Sequence, residues 1–425
     1  MDTQKLIEQL NDNDMQVRLN ALAEIKKLTD EGVLPAVPDT LYVNNHIHTT
    51  YSFSPYSPTK ALYMAWQAGL KTAGIMDHDS VSGIKEFIEA GKIIGMPVTC
   101  GFECRVGMKN TRLNGKKINN PDQESVAYVA IHGIPHQYVD MLDEFLAPYR
   151  AKRNERNKKM CANITKLVEP YGLSLDFEKD VMPLSKCNEG GSITERHVLY
   201  GLAKKVTEKY KTPAEVVDFF KNEMKIEISP KVEAQILNGD KTPDFYEYDI
   251  LGALKSNMVE KIYIDADEEC PDVREYIALA KKCHGISAYA YLGDVGDSVT
   301  GDKKAQKFED DYLDLLFEEL VDLGFDAVTY MPTRNTEAQL RRIMGLCDKY
   351  NLFQISGVDI NSPRQEFICR ELDNPLYSHL VDATYALIGA ENAATANEDE
   401  SMFCDAIKAK YPDVHDRIQY FKNKV

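Results

Sequence analysis

Leu41-Tyr-Val-Asn-Asn-His-Ile-His-Thr-Thr50 marks a change of rhythm in the chain. Before it, Leu6, Ile7 and Leu10 form one apolar helical stripe, and Val17, Leu19, Leu22, Ile25 and Leu28 form another. From it onward, short apolar runs alternate with helical segments. Leu41 to His48 is expected to be a strand. Ser57-Pro58 then opens a helix, with Ser as N-cap and Pro at the first helical position. The next elements are strand Thr72–Met76, helix Ser80–Ile94, strand Pro97–Cys104 and strand Val126–His132. The rhythm returns with strand Lys261–Ile264, helix Val273–Cys283, strand Ile286–Tyr291 and helix Lys304–Leu323. Strand Ala327–Tyr330, helix Glu337–Tyr350 and strand Phe353–Gly357 complete it. Strands alternating with helices of this length mean parallel βαβ units, and about seven of them favour a barrel over an open sheet.

The expected division is an N-terminal helical extension (1–40), a first barrel part (41–137), a helical insertion (138–255), a second barrel part (256–390) and a helical tail (391–425). The chain has 425 residues, with 50 Lys and Arg against 67 Asp and Glu, a formal net charge of −17. That acidity argues against a nucleic-acid polymer as partner, because neutralising phosphates takes clustered Lys and Arg. A small phosphate ester remains compatible, since a local cation can reverse the sign within one cleft. No run of about 18 apolar residues occurs, so no membrane association is expected. The nine cysteines include no CxxC, and the N-terminus lacks an apolar leader, which fits free thiols in a reducing cytoplasm.

In a strand, residues two apart face the same side, so His46 and His48 project together. Paired imidazoles are a common start of a divalent metal site. Asp77-His78-Asp79 closes the next strand, with Asp79 a candidate helix N-cap. Glu103 and His132 end the third and fourth strands, and Asp359 follows the last. If all strands are parallel, their C-terminal ends share one face, where such barrels place their chemistry. Several His and carboxylates converging there have the composition of a metal site. His46, His48, Glu103, His132 and Asp359 are therefore the candidate ligands. His78, His132 and Asp77 are the candidate catalytic groups. Arg105, Arg196, His197 and Arg334 are the candidates for binding phosphate oxygens. Arg153 and Arg156 read more simply as a solvated helix face, and His136 and His284 as surface residues.

The segments His46-Ile-His-Thr-Thr-Tyr-Ser52, Ala68-Gly69, Met76-Asp-His-Asp79 with Ser82-Gly83, Gly101-Phe-Glu103 and Gly357-Val-Asp359 together resemble the polymerase and histidinol phosphatase (PHP) family. Ser192-Ile-Thr-Glu-Arg-His197 is similar to an Arg-Pro-His segment of one phosphatase branch. The resemblance covers roughly residues 41 to 365. It implies an α/β fold, a distorted seven-stranded TIM-like barrel with a helical insertion, and metal-dependent hydrolysis of phosphate esters. It implies a first metal site of His46, His48, Glu103 and Asp359, and a second using Glu103, His132 and the position held here by Tyr291. A third would use His78 and positions held here by Phe53 and Asn361, neither of which binds divalent metals well. One or two divalent ions (Zn, Mn, Fe or Mg) are therefore expected, acting on a small phosphorylated substrate. A non-catalytic ligand-binding domain and a mononuclear hydrolase of another bond are the alternatives. Oligomeric state is not legible in the sequence.

Overall fold

The computed structural model describes residues 3–295 and 306–425. Seven strands form one sheet in chain order: β1 Val43–Ile47, β2 Thr72–His78, β3 Val98–Gly107, β4 Val126–His132, β5 Ile286–Ala290, β6 Ala327–Tyr330 and β7 Phe353–Ser356. The segment after β7 returns to β1, where His48 N donates to Ile360 O (2.9 Å) and Ile360 N to His46 O (3.1 Å). These bonds nearly close the sheet into a barrel and set Asp359 beside the two histidines of β1.

β4 departs from the parallel pattern. It runs antiparallel to both β3 and β5, pairing Glu103 with Ala130 and Gly101 with His132. Its C-terminus therefore lies toward the opposite end of the barrel from the mouth. The expected strand Lys261–Ile264 is also absent: helix Pro243–Ile262 takes its first two residues, and Tyr263 ends the helix. Leu251, Leu254, Met258 and Ile262 are all buried on that helix, and this helical spacing outweighs the local β-branched composition. Of the helix expected over Lys304–Leu323, residues 304 and 305 lie outside the described residues, and the α-helix spans Leu313–Leu323 after one 3-10 turn.

Local signals hold elsewhere. Ser57 caps helix Pro58–Gln67 by accepting from Lys60 N. Asp79 is not a cap, because helix Ile84–Ile94 starts later and Asp79 itself has φ +49°. The N-terminal helices Thr3–Gln9 and Met15–Asp30 pack on the barrel flank. There the buried guanidinium of Arg18 forks onto buried Glu86, with Nε donating to Oε1 at 2.8 Å. The 160–262 stretch has an apolar core of its own, into which Phe53 of the β1–helix loop inserts. Helix His379–Ala396 covers the barrel on another side and carries the short helices Asp405–Lys410 and Val414–Phe421. Among the described residues, no helix is long and apolar enough to cross a membrane.

Candidate metal centre at the barrel mouth

The C-terminal ends of β1 and β2, the middle of β3 and the turn after β7 each send one or two side chains to the same point. His48 Nε2 lies 3.3 Å from Glu103 Oε1 and 3.2 Å from Asp359 Oδ1. His46 Nε2 and His78 Nδ1 reach the same Glu103 oxygen at 3.5 and 3.1 Å. Two overlapping ligand groups result: His46, His48 and Asp359, and His48, His78 and Glu103. The His48 and His78 rings stack at 4.7 Å. His78, read from sequence as a catalytic group, thus shares the position of the ligands.

The supporting contacts fix the orientation of His48 and the proton on its Nδ1. Asp77 is 1 % exposed and accepts three hydrogen bonds: from Thr49 N (2.7 Å), Thr49 Oγ1 (2.6 Å) and Ser52 Oγ (2.6 Å). Because Ser52 spends its proton on Asp77, His48 Nδ1, 3.2 Å away, must donate to Ser52 Oγ. In neutral His48 this assignment leaves Nε2 with a bare lone pair facing two carboxylate oxygens. Neither His48 Nε2 nor His78 Nδ1 has a hydrogen-bond partner, although both are buried. Lone pairs aimed at carboxylates repel unless a cation sits between them, and imidazole with carboxylate is a donor set for divalent first-row metals. The residues present therefore fit such an ion, and Asp77 acts through Ser52 as the group that orients His48.

The two carboxylates call for positive charge in their midst, and, against its burial, Asp359 and then Glu103 raise His48. Burial alone would raise Glu103, yet the surrounding histidines His78, His46 and His48 bring it down to about 2. Asp359 is likewise held far below the ordinary carboxylate range against its burial, by His48 first. Burial pushes His78 down to about 4, leaving a neutral imidazole suited to bind a cation or accept a proton rather than donate one.

The remaining expected site residues separate. His132 points to the same side of the sheet as Glu103 but two residues deeper, paired with Gly101, because β4 is reversed. It belongs to neither ligand group, is 1 % exposed, and burial lowers it to about 3. Tyr291 Oη donates to Asp310 Oδ1 at 2.6 Å and so is engaged away from the ligands. Asn361 does not replace a ligand but bridges two groups. Its amide donates to Asp359 Oδ1 (2.6 Å), and its carbonyl accepts from Arg196 Nη1 (2.7 Å). Arg196 thereby stands at the rim beside Asp359.

Arg105 and His197 are withheld from any substrate. Arg105 is 3 % exposed and pairs with Glu195 and Glu269. His197 closes a capping box, its Nδ1 accepting from Thr194 N at 3.0 Å, and its ring packs edge-on against Phe53 at 4.9 Å. Arg334 Nε donates to Leu292 O at 3.1 Å. Arg153 and Arg156, read as a solvated face, are buried instead. Arg153 pairs with Asp79 and Glu195, and Arg156 with Glu195 and Glu269. Their carboxylates come from distant segments, so no local pattern announced them. The mouth opens into a cavity of about 1000 Å³ floored by His46, His78, Glu103 and Asp359. Arg153 and Arg196 stand on its wall, and residues 221–260 of the insertion, among them Lys225, Ile228 and Val232, form its roof.

No protein-family model matches the chain. A 5'-3' exoribonuclease of Haemophilus influenzae is 34% identical over 58 residues, 14% of this chain and 21% of the relative, so the match spans about a fifth of that protein's length. Among solved structures, a protein assigned as a metal-dependent phosphoesterase from Bifidobacterium adolescentis is 19% identical, with TM-score 0.49 over 79% of this chain and 95% of its own. An amidohydrolase from Chromobacterium violaceum, solved with sulfate and without metal, is 15% identical, with TM-score 0.50 over 80% of this chain and 96% of its own. The architecture, a seven-stranded and nearly closed α/β barrel, is the fold this chain shares with that amidohydrolase.

Proposed function

We propose that the chain is a metal-dependent hydrolase that cleaves a small phosphate monoester, a nucleotide or a sugar or alcohol phosphate. The observation that carries this reading is the convergence of His46, His48, His78, Glu103 and Asp359, with two buried imidazole nitrogens left unpartnered, on a cavity walled by an arginine. The cavity volume suits a ligand of nucleotide size. A divalent ion held by these residues supplies a water nucleophile active at neutral pH and positive charge for the phosphoryl oxygens. Arg196, steadied by Asn361, supplies the guanidinium that orients and neutralises a phosphate at the rim. Neutral His78, with Nδ1 turned to the ligand cluster, carries its proton on Nε2 and can donate a hydrogen bond from there. The Asp77–Ser52–His48 chain holds the ligand geometry through turnover. The partner is a small molecule and the compartment the cytoplasm, with neither a membrane nor a nucleic-acid polymer involved.

The 34% identical segment of an exoribonuclease motivates one arm of the test, and the amidohydrolase of similar fold another. Protein purified without chelator is assayed with Mn²⁺ or Zn²⁺ against a phosphomonoester panel, a 5'-phosphorylated oligoribonucleotide, and amide and lactone substrates. Chelator-sensitive release of phosphate from the monoesters is the expected result. Turnover of the oligonucleotide alone, or of an amide alone, overturns the substrate assignment. No stoichiometric metal and no turnover would favour a ligand-binding domain.

A further inference from the structure

Away from the mouth, on the opposite face of β3, Cys100, His136 and Glu391 each bring one ligand atom within 4.8 Å of the others. Strand alternation explains the separation. Glu103 points into the barrel, and Cys100, three residues earlier, points out toward helix His379–Ala396. Glu391 on that helix is 1 % exposed, and so is Cys100.

The carboxylate of Glu391 is anchored through Oε2 and meets the one partly exposed member of the cluster through Oε1. Its Oε2 accepts from Thr99 Oγ1 at 2.7 Å and from Cys100 N at 2.8 Å. That leaves Oε1 facing the His136 imidazole, with Nε2 3.1 Å away. The one ion pair of Glu391 among the described residues is with this histidine, whose side chain is 34 % exposed. Taking a carboxylate out of water costs several kcal/mol unless a cation accompanies it. One thiolate, one carboxylate and one neutral imidazole around a divalent ion sum to zero charge. Cys, His and Glu are the ligand types of zinc, and its bond lengths place ligand atoms about 3.3–3.6 Å apart. Thr99 and the Cys100 amide orient the carboxylate as outer partners do at built metal sites. The exposed side of His136 leaves an approach for the ion and for a water as fourth ligand.

We propose that Cys100, His136 and Glu391 form a second divalent-cation site of zinc type, which ties helix His379–Ala396 to β3 and to the turn after β4. Binding displaces the Cys100 thiol proton to solvent and changes no oxidation state. The site is independent of the catalytic reading, because it shares no ligand with the mouth.

The mouth cluster contains no sulfur, which separates the two sites optically. The full chain, stripped with a chelator, is titrated with Co²⁺ alone, and thiolate-to-cobalt charge-transfer absorption is recorded. The band is expected in the native protein, where the mouth also takes cobalt, and in His48→Ala, where it saturates at one equivalent, and is expected to vanish in Cys100→Ser. His136→Gln alters a partly exposed side chain and is expected to weaken cobalt binding at this band at least about tenfold. Zn²⁺ is expected to raise the melting temperature of His48→Ala but not of the His48→Ala/Cys100→Ser double variant. A folded native protein without the band shows a hydrogen-bonded cluster only and overturns the proposal. Persistence of the band in Cys100→Ser, or undiminished affinity in His136→Gln should Cys100→Ser not fold, overturns it too.

Discussion

Two charged clusters lie side by side at the barrel mouth, and they are built on opposite plans. In one, Arg105, Arg153 and Arg156 meet Asp79, Glu195 and Glu269, three cations against three anions, and each charge has an opposite partner. In the other, three imidazoles crowd two carboxylates, and two buried imidazole nitrogens face those carboxylates with no hydrogen bond. The unbonded nitrogen of the first cluster, Arg153 Nε, belongs instead to a guanidinium whose charge is already paired. The first cluster joins the long insertion helix Val139–Val168 to β3 and to helix Glu195–Lys209, and its charges are already balanced from within. The second is incomplete without a cation. Composition alone does not separate a structural ion network from a site; the pairing of individual atoms does.

The comparison breaks most readily at the balanced cluster. Glu269→Ala leaves two buried guanidiniums short of a partner and is expected to cost about 3–5 kcal/mol of stability. Urea unfolding measures it, and a loss below about 1 kcal/mol would mean that the network is not what holds the insertion. Glu103→Gln or Asp359→Asn alters the incomplete cluster. These variants are expected to keep a near-native unfolding midpoint while turnover falls by about 10²–10³-fold and bound metal is lost. Equal loss of stability in both clusters would erase the distinction drawn here. Arg196→Ala removes the rim guanidinium without touching a ligand. It is expected to lower kcat/KM by about 10–100-fold, mostly through KM, with metal content unchanged.

The smallest effect concerns pH. Burial, and then Arg153, lower His197 to about 3, and its Nδ1 must stay unprotonated to accept from Thr194 N. The unfolded chain binds a proton at this histidine near pH 6.5, long before the folded one does. Its contribution is therefore fully present above pH 6.5 and is lost as pH falls from there toward 3. His197→Gln is expected to flatten that acid limb by up to about 1.4 kcal/mol per pH unit, measured as the slope of unfolding free energy against pH. An unchanged slope would show that the imidazole is not buried neutral.

Much of this was legible in the sequence because it is written locally. The spacing of His46 and His48, the strand-end position of His78 and the Ser57-Pro58 helix start depend on neighbours a few residues away, whereas β3 runs on past the expected end at Glu103 to Gly107. What escaped depends on partners far along the chain. Strand direction is not encoded in a strand's own residues, so the reversal of β4, and with it the depth of His132, could not be read. Arg105, Arg153 and Arg156 resembled phosphate ligands or solvated charges until Glu195 and Glu269 were placed against them. Phe53 looked like a ligand position lost; in space it is the residue that enters the core of the insertion, against His197 and Tyr200. Asn361 looked like another loss and instead links Arg196 to Asp359.

The central claim is that the imidazole–carboxylate cluster of the mouth holds a divalent ion on which phosphate ester hydrolysis depends. The most direct measurement is metal-to-protein stoichiometry by elemental analysis, paired with phosphomonoester turnover, for the native chain and for His48→Ala. To exclude the outer cluster, the same comparison is made in a Cys100→Ser background. The account expects at least one bound ion and chelator-sensitive turnover in the parent chain, with both lost together in His48→Ala. Undiminished turnover in His48→Ala, or turnover by the parent chain with no bound metal, would contradict it.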